Sequence, residues 1–212
     1  MQTVALIDYG SGNVRSVGRA LAEAARRAGL DCDVRLTRDP DFVVGADRIV
    51  LPGQGAFAAC MDALTADAPL LAAMTEAVRT RAAPFLGVCV GMQLLMSEGL
   101  EHGAHPGLGW IPGVCRRHEG AERLPHMGWN AVTPVRQHRV LDGLAPTRHM
   151  VFMHSFVVAP SDAAAVATVT DYGAPFASAV ARDNMVGVQF HPEKSQAAGL
   201  DLLARFMAWS PS

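Results

Sequence analysis

A short apolar segment that leads into a cysteine between two glycines constrains the fold more than any other part of this sequence. Residues 84–88 predict a buried strand, and residues 93–97 continue in a helical pattern. Cys89 lies between them, flanked by Gly87 and Gly91. A sharp strand-to-helix turn strains its central residue, and side chains on either side of that residue would collide with the turn. The G-x-C-x-G spacing therefore predicts a nucleophile elbow.

A second apolar strand, predicted for residues 185–190, ends in His191, Pro192 and Glu193. The proline disfavours a helix interior, so we expect an extended segment on which His191 and Glu193 project from the same face. A carboxylate beside an imidazole fixes its tautomer and stabilises its cation. Cys89 alone fits an inert buried thiol, and His191 alone fits a strand end. Together with Glu193 they predict a nucleophile, a base and an orienting carboxylate.

The composition is that of a globular chain. Of 212 residues, 50% are hydrophobic, and the net charge is −2 without a basic block, so we expect neither nucleic-acid nor membrane binding. No segment approaches the roughly 18 apolar residues of a membrane span, and the chain opens directly into a predicted strand. The cysteines form no C-x-x-C pair and the histidines are scattered, which predicts reduced thiols and no metal site. We expect one domain over residues 1–212 in the cytoplasm.

The order of the predicted elements indicates an α/β fold. Strands are expected at 3–8, 32–36, 48–51, 84–88, 148–158, 164–169, 176–182 and 185–190. Helices are expected at 14–28, 57–64, 70–81 and 196–209, with Asn13 and Ser195 as caps of the first and last. These elements predict a central mixed, mostly parallel sheet flanked by helices, with an antiparallel extension in the second half.

The elbow and the segment Val-Gln-Phe-His-Pro-Glu at 188–193 together resemble the class I, or triad, glutamine amidotransferase family. Residues 7–13, 51–57, 125–130 and 154–156 narrow the resemblance to the glutaminase subunits of imidazole glycerol phosphate synthases, from histidine biosynthesis. The resemblance covers residues 4–209. It implies hydrolysis of L-glutamine to glutamate and ammonia through a Cys89 thioester, with no metal or organic cofactor. It also implies that ammonia passes to a separate cyclase subunit, a (β/α)₈ barrel, in a heterodimer.

The resemblance further implies which groups stabilise the transition state. The Val90 N–H is one oxyanion donor, and the peptide between Gly53 and Gln54 is the other, after it turns inward. Gln93 contacts the substrate. The backbone at Ser155 and Phe156 meets the substrate α-carboxylate, although the family usually has tyrosine in place of this phenylalanine.

Four more residues receive roles by resemblance. Glu101 is our candidate for binding the substrate ammonium group, and Glu98 is its rival. The loop at Asn13, the ring of Trp129 and the ammonium group of Lys194 are expected to meet the partner subunit. Lys194 is the only lysine among 18 basic residues. By composition alone this fits equally a chance remnant of an arginine-rich chain and a position that requires a compact cation on a flexible stem, and the resemblance favours the second.

Other functions remain compatible with these residues. One is the glutaminase subunit of a different class I enzyme, such as pyridoxal phosphate synthase, although residues 8–13 and 126–130 argue against it. A free-standing γ-glutamyl hydrolase would work without a partner. A non-catalytic binding subunit could share the fold, but the complete set of catalytic residues argues against that. For the favoured function, we expect the isolated chain to be nearly idle.

Overall fold

The computed structural model describes residues 1–211, and its strands form one 13-stranded sheet. The strands are β1 (Gln2–Ile7), β2 (Cys32–Thr37), β3 (Arg48–Gly53), β4 (Phe85–Cys89), β5 (Glu98–Gly99), β6 (His105–Pro106), β7 (Gly113–Arg117), β8 (His126–Pro134), β9 (Arg148–His154), β10 (Phe156–Pro160), β11 (Val166–Asp171), β12 (Pro175–Arg182) and β13 (Met185–Val188). The helices are α1 (Val14–Arg27), α2 (Pro40–Gly45), α3 (Phe57–Ala66), α4 (Ala68–Thr75), α5 (Val90–Gln93) and α6 (Gln196–Ala208).

The centre of the sheet is parallel. Strands β2, β1, β3, β4 and β13 lie side by side in that order, and each neighbouring pair runs in the same direction. Every residue of β3 and of β4 is buried, as expected where both faces of a parallel sheet are covered. The pairing places Gly53 beside Cys89. The carboxyl ends of β3, β4 and β13 therefore meet at one edge, where ligands bind in such sheets.

The second half of the chain adds the antiparallel extension, and the predicted α/β fold is confirmed. Strands β12, β10 and β7 continue the sheet beyond β13, while β8 and β9 form an antiparallel pair linked to it through β11. The single strand expected at 148–158 is wrong, because the chain bends at Ser155. This bend lets β9 pair with β8 while β10 pairs with β7 and β12.

The helices flank the sheet, with α1 packed against α6 and α2 against α4. The predicted helix at 70–81 is α4 followed by a π-helical turn at Glu76–Thr80. Neither predicted cap is correct, because the side chains of Asn13 and Ser195 make no capping hydrogen bond. Over residues 1–211, no single helix is long and apolar enough to span a membrane, and only α3 with the segment 68–80, bent by 96°, meets the length and composition criteria as a pair.

Candidate active site

Cys89 occupies the strained turn that its flanking glycines predict. It ends β4 with φ 55° and ψ −112°, a conformation that costs a non-glycine residue energy, and it is 4% exposed. A Cβ on Gly91 would lie 2.0 Å from the Leu51 carbonyl oxygen, and a Cβ on Gly87 would lie 2.6 Å from the Gly91 carbonyl oxygen. Glycine at 91 therefore lets the elbow pack this closely against β3, and glycine at 87 lets β4 lie this close to the backbone of α5.

The helix after the elbow is shorter than the sequence predicts. α5 ends at Gln93 after a single turn, and irregular turns follow over 94–97. Val90 opens α5, so its N–H has no acceptor within the helix and lies next to the nucleophile. One turn carries only a small dipole, so this N–H, rather than a long helix, is the polar group that α5 brings to Cys89.

His191 and Glu193 form the expected pair, but not on an extended segment. β13 ends at Val188, and residues 192–194 form a 3₁₀ turn that begins with the proline. The turn brings the His191 Nδ1 to 2.9 Å from Glu193 Oε1, with the two side chains 8% and 1% exposed. The other carboxylate oxygen, Oε2, is buried without a hydrogen-bond partner among residues 1–211. Among those residues, the His191 ring is therefore the hydrogen-bond partner of the Glu193 carboxyl group.

The main chain at His191 is held from β9. Its N–H donates to the Val151 carbonyl at 2.8 Å, and its carbonyl accepts from the Ser195 hydroxyl at 2.6 Å. The Ser195 oxygen in turn accepts from the Val151 N–H at 3.0 Å. Ser195 therefore fixes the histidine segment to β9 instead of capping α6.

The pKa of His191 is raised to about 9. Burial by itself would lower this pKa, because it disfavours the charged ring. Hydrogen bonds to Cys89 and to Glu193, with the negative charges of both, outweigh the burial. The ring is therefore an imidazolium near neutral pH, and it lies between the sulfur of Cys89 and the carboxyl group of Glu193.

The Gly53–Gln54 peptide lies beside the elbow, but its N–H faces away from it. The Gln54 N–H points to the Ser11 hydroxyl at 3.4 Å. The Gln54 carbonyl accepts from the Ser11 hydroxyl at 2.7 Å and from the Cys60 thiol at 3.4 Å. This peptide would have to turn before its N–H could reach an oxyanion at Cys89.

Gln93 lies behind the nucleophile and is 4% exposed. Its Nε2 donates to the Phe156 carbonyl and to Gln189 Oε1, both at 3.1 Å. The Nε2 of Gln189 lies 3.8 Å from Cys89 Sγ. A buried amide pair thus connects the β10 backbone to the nucleophile.

A cavity of about 320 Å³, large enough for an amino acid, opens at the nucleophile. The predicted residues that line it are Cys89, His191, Val90, Gln54, Gln93, Glu101, Ser155, Phe156 and Lys194. Glu193 lies behind His191. Glu101 also accepts from the Phe57 N–H at 2.8 Å, which ties its loop to the start of α3. Glu98, its rival, is not part of the lining.

The chain is similar to known proteins over nearly its whole length. The model of the family described as glutamine amidotransferase class-I matches residues 5–208. A protein of Caulobacter vibrioides named imidazole glycerol phosphate synthase subunit HisH is 54% identical over 100% of both chains. A protein of the same name from Rhodospirillum rubrum is 50% identical over 98% of this chain and 99% of its own.

A crystal structure of a glutamine amidotransferase from Thermotoga maritima shares the fold. Its TM-score is 0.64 with 17% identity, over 91% of this chain and 76% of that one. At that identity the likeness shows the fold alone. The family match and the two full-length relatives decide the assignment. This chain belongs to the class I glutamine amidotransferase family.

The residues that we expected at the partner interface of this amidotransferase lie in three places. Trp129 is 50% exposed on β8, outside the cavity. Asn13 is partly buried in the loop before α1, and Lys194 is partly buried at the cavity wall. No group of three or more His, Cys, Asp or Glu residues within 1–211 is arranged to hold a metal ion.

Several residues of this amidotransferase site were not predicted from the sequence. Arg117, on β7, lines the same cavity as Glu101 and Lys194. Gln189 contacts the nucleophile, and Ser11 holds the Gln54 peptide. Of these residues, only Gln189 could have been found from the sequence. It is a polar residue at the end of an apolar strand, and a buried polar side chain requires a hydrogen-bond partner.

Proposed function

We propose that this amidotransferase is the glutaminase subunit of an imidazole glycerol phosphate synthase and hydrolyses L-glutamine to glutamate and ammonia. The observation that carries the proposal is Cys89 at a strained elbow, in the same cavity as a His191 whose ring Glu193 holds by a 2.9 Å hydrogen bond. The cavity beside it has room for an amino acid. The full-length relatives named as synthase subunits support the assignment to this complex.

In the proposed reaction, the Cys89 thiolate attacks the side-chain amide carbon of glutamine. His191 gives its proton to the departing nitrogen, so ammonia leaves and a γ-glutamyl thioester remains. His191, now neutral, takes a proton from water, whose oxygen attacks the thioester and releases glutamate and the thiolate. Glu193 orients the ring and stabilises its cationic form in both half-reactions.

The charges in the cavity fit a zwitterionic substrate. We assign the α-ammonium group to the Glu101 carboxylate and the α-carboxylate to the Ser155 and Phe156 backbone, with Arg117 as a nearby cation. Phe156 lies opposite Arg117 in the paired strands β10 and β7, and both residues line the cavity. Gln93 fixes the Phe156 peptide from behind.

The proposed partner is a (β/α)₈ cyclase subunit that receives the ammonia, and its docking site includes the exposed face of β8 and β9. Met127, Trp129 and Met153 are 64%, 50% and 37% exposed on neighbouring positions of these strands. Met153 also lines the catalytic cavity, so the apolar surface continues into the site. A partner over this surface would cover the mouth of the cavity, which suits direct transfer of ammonia. We add Asn13 and Lys194 to this interface.

The Gln54 N–H points to Ser11 instead of Cys89, which supports our proposal that the free chain hydrolyses glutamine very slowly. With Val90 as the only donor in place, the tetrahedral intermediate lacks one hydrogen bond, and one such donor is worth about 10²–10³ in rate. We propose that the docked, liganded partner turns this peptide inward. The four free cysteines support work in a reducing compartment, and we propose the cytoplasm.

The test is glutamate release from glutamine by the chain alone, with the cyclase subunit, and with the cyclase subunit and its nucleotide substrate. We expect the third sample to be about 10² times faster than the first, because both oxyanion donors are then in place. In Cys89→Ala, this activity should fall at least about 10³-fold. The Cys32→Ala chain serves as the matched thiol control, since Cys32 is a free, partly exposed thiol outside the cavity lining.

High activity of the chain alone that ignores the cyclase subunit would contradict the synthase assignment and favour a γ-glutamyl hydrolase. No glutamate release in any sample, with Cys89 resistant to a glutamine-mimicking diazo-ketone in the complex, would favour a non-catalytic subunit. Activation by the synthase subunit of pyridoxal phosphate synthesis instead would favour the other class I enzyme.

A second prediction concerns the docking surface. Trp129→Ala should weaken the complex with the cyclase subunit about 10- to 100-fold, because large aromatic rings at the centre of an interface carry much of its affinity. Val135→Ala is the matched control, since Val135 is 53% exposed just beyond the same strand. Calorimetric titration measures both dissociation constants. Equal values for the two variants would remove Trp129 from the interface.

A further inference from the structure

Gln189 is a buried polar residue whose role the proposed reaction leaves open. It directly follows β13 and is 0% exposed. Because Val188 pairs with Val88 in the parallel strands β13 and β4, Gln189 lies level with Cys89. Its backbone N–H donates to the Ser178 carbonyl at 2.9 Å. A buried amide side chain is costly unless it is hydrogen-bonded, so its partners indicate what it does.

The contacts of Gln189 fix which end of its amide faces the nucleophile. Phe156 contributes a backbone carbonyl, which can only accept, so the Gln93 atom that lies 3.1 Å from it must be the nitrogen. The same Nε2 lies 3.1 Å from the side chain of Gln189, which must therefore present its oxygen. The Gln189 nitrogen is left to face Cys89 Sγ at 3.8 Å.

We propose that Gln189 is a further catalytic residue, which donates an N–H to the Cys89 sulfur and stabilises the thiolate. The proposal rests on the proposed function only in taking Cys89 as the nucleophile. An amide carries no ionisable proton, so it stabilises the negative sulfur without competing with His191 for the proton that ammonia needs. It makes no bond to the substrate, because it lies outside the cavity lining.

The arrangement places two different donors around one sulfur atom. His191 reaches it from the cavity and takes part in proton transfer, whereas Gln189 reaches it from the buried side. The other titratable groups around Cys89 are Tyr9 just after β1, Cys115 on β7 and Glu193 behind His191, with Glu101, His102, Arg117, His154 and Lys194 in the cavity lining. None of these is changed by a substitution at position 189.

The test measures how fast iodoacetamide alkylates Cys89 as a function of pH, followed by mass spectrometry of the individual peptides. Gln189→Met keeps roughly the shape of the side chain but lacks the N–H donor. The pH at which alkylation of Cys89 is half-maximal should therefore rise by about one unit, because a hydrogen bond to a charged group is lost. Gln189→Glu should move it in the same direction, because a carboxylate repels the thiolate. Cys32, which is partly exposed, is the internal reference, and its alkylation profile should be the same in all variants.

Ser178→Ala is the matched control, since it removes a buried hydroxyl from the neighbouring strand and leaves the carbonyl that holds Gln189. Its Cys89 profile should equal that of the parent chain. In the complex at pH 7, Gln189→Met should lower kcat about tenfold with KM for glutamine unchanged. An unmoved Cys89 profile in both Gln189 variants would overturn the proposal. The alkylation readout needs no glutamine, so this result is distinct from any failure of the glutaminase assignment.

Discussion

Gly91→Ala should destabilise the protein by about 3 kcal/mol or more, which is a large part of the 5–15 kcal/mol that typical domains have. The added Cβ would lie 2.0 Å from the Leu51 carbonyl oxygen and 2.9 Å from its carbon. These are backbone atoms of β3, which is buried along its whole length and paired with β1 and β4, so they cannot move away cheaply. The denaturant midpoint and the m-value from urea unfolding measure the loss.

Gly45→Ala is the matched control. A Cβ there meets nothing within 4 Å, so alanine at the end of α2 should be neutral or stabilising by about 0.5 kcal/mol. If Gly91→Ala and Gly45→Ala have the same free energy of unfolding, the elbow is not packed against β3 as the structure has it. Because the clash involves the strand that leads into Gly53, we also expect the Gly91 variant to lose glutamine hydrolysis wherever it still folds.

The elbow could be predicted because its physical requirements are local. Glycine at 87 and 91 leaves room for backbone atoms, and the neighbouring apolar residues mark a buried strand. The fold class followed for a similar reason, since continuous apolar strands alternate with helices in the first half of the chain. These features depend on residues close together in the sequence.

The features that the sequence did not predict depend on residues far apart. The chain bends at Ser155 because β9 and β10 have different partner strands, which no local pattern encodes. The hydroxyl of Ser195 makes bonds to Val151 and His191 across 44 and 4 residues, and these replace the expected helix cap. The contact of Gln189 with the nucleophile was not predicted, because its partners, Cys89 and Gln93, are 100 and 96 residues away in the sequence.

Two buried histidines next to the site form a neutral hydrogen-bonded pair. His154 Nδ1 lies 3.0 Å from the Phe156 carbonyl, which can only accept, so Nδ1 carries the proton and Nε2 is free to accept. His126 Nδ1 lies 3.2 Å from that Nε2 and donates to it, while its own Nε2 accepts from the Asn130 amide at 3.3 Å. In each ring the unprotonated Nε2 accepts a hydrogen bond, so adding a proton there would break that bond.

The pKa values of this pair are strongly lowered. Burial, followed by the neighbouring His126, lowers the pKa of His154 to about 3. Burial and the nearby His118 lower the pKa of His126 to about 4. The pKa of His118 is itself lowered, again chiefly by burial. In the unfolded chain these rings return to about 6.5, so below that pH the unfolded state binds more protons than the folded one.

The free energy of unfolding should therefore fall as the pH drops from about 6.5 to 4, with a slope of up to about 1.4 kcal/mol per pH unit for each of His126 and His154. The contribution of His191 to the free energy of unfolding changes with pH in the opposite direction. Its raised pKa of about 9 adds stability that is complete below pH 6.5 and is lost between 6.5 and 9, so it adds no slope on the acid side. For these histidines together, we expect stability to be highest near pH 6.5.

Urea unfolding at a series of pH values tests this, with His154→Gln compared against the parent chain. The acid slope should be shallower by about 1.4 kcal/mol per pH unit, since glutamine can still donate to the Phe156 carbonyl but binds no proton. His149→Gln, at an exposed position of the same strand, is the matched control and should keep the parent slope. Identical slopes in all three proteins would mean that the buried pair does not control acid stability. A shallower slope in His154→Gln alone would assign the acid sensitivity of the fold to the buried pair, whose member His154 also bonds the Phe156 carbonyl beside the cavity.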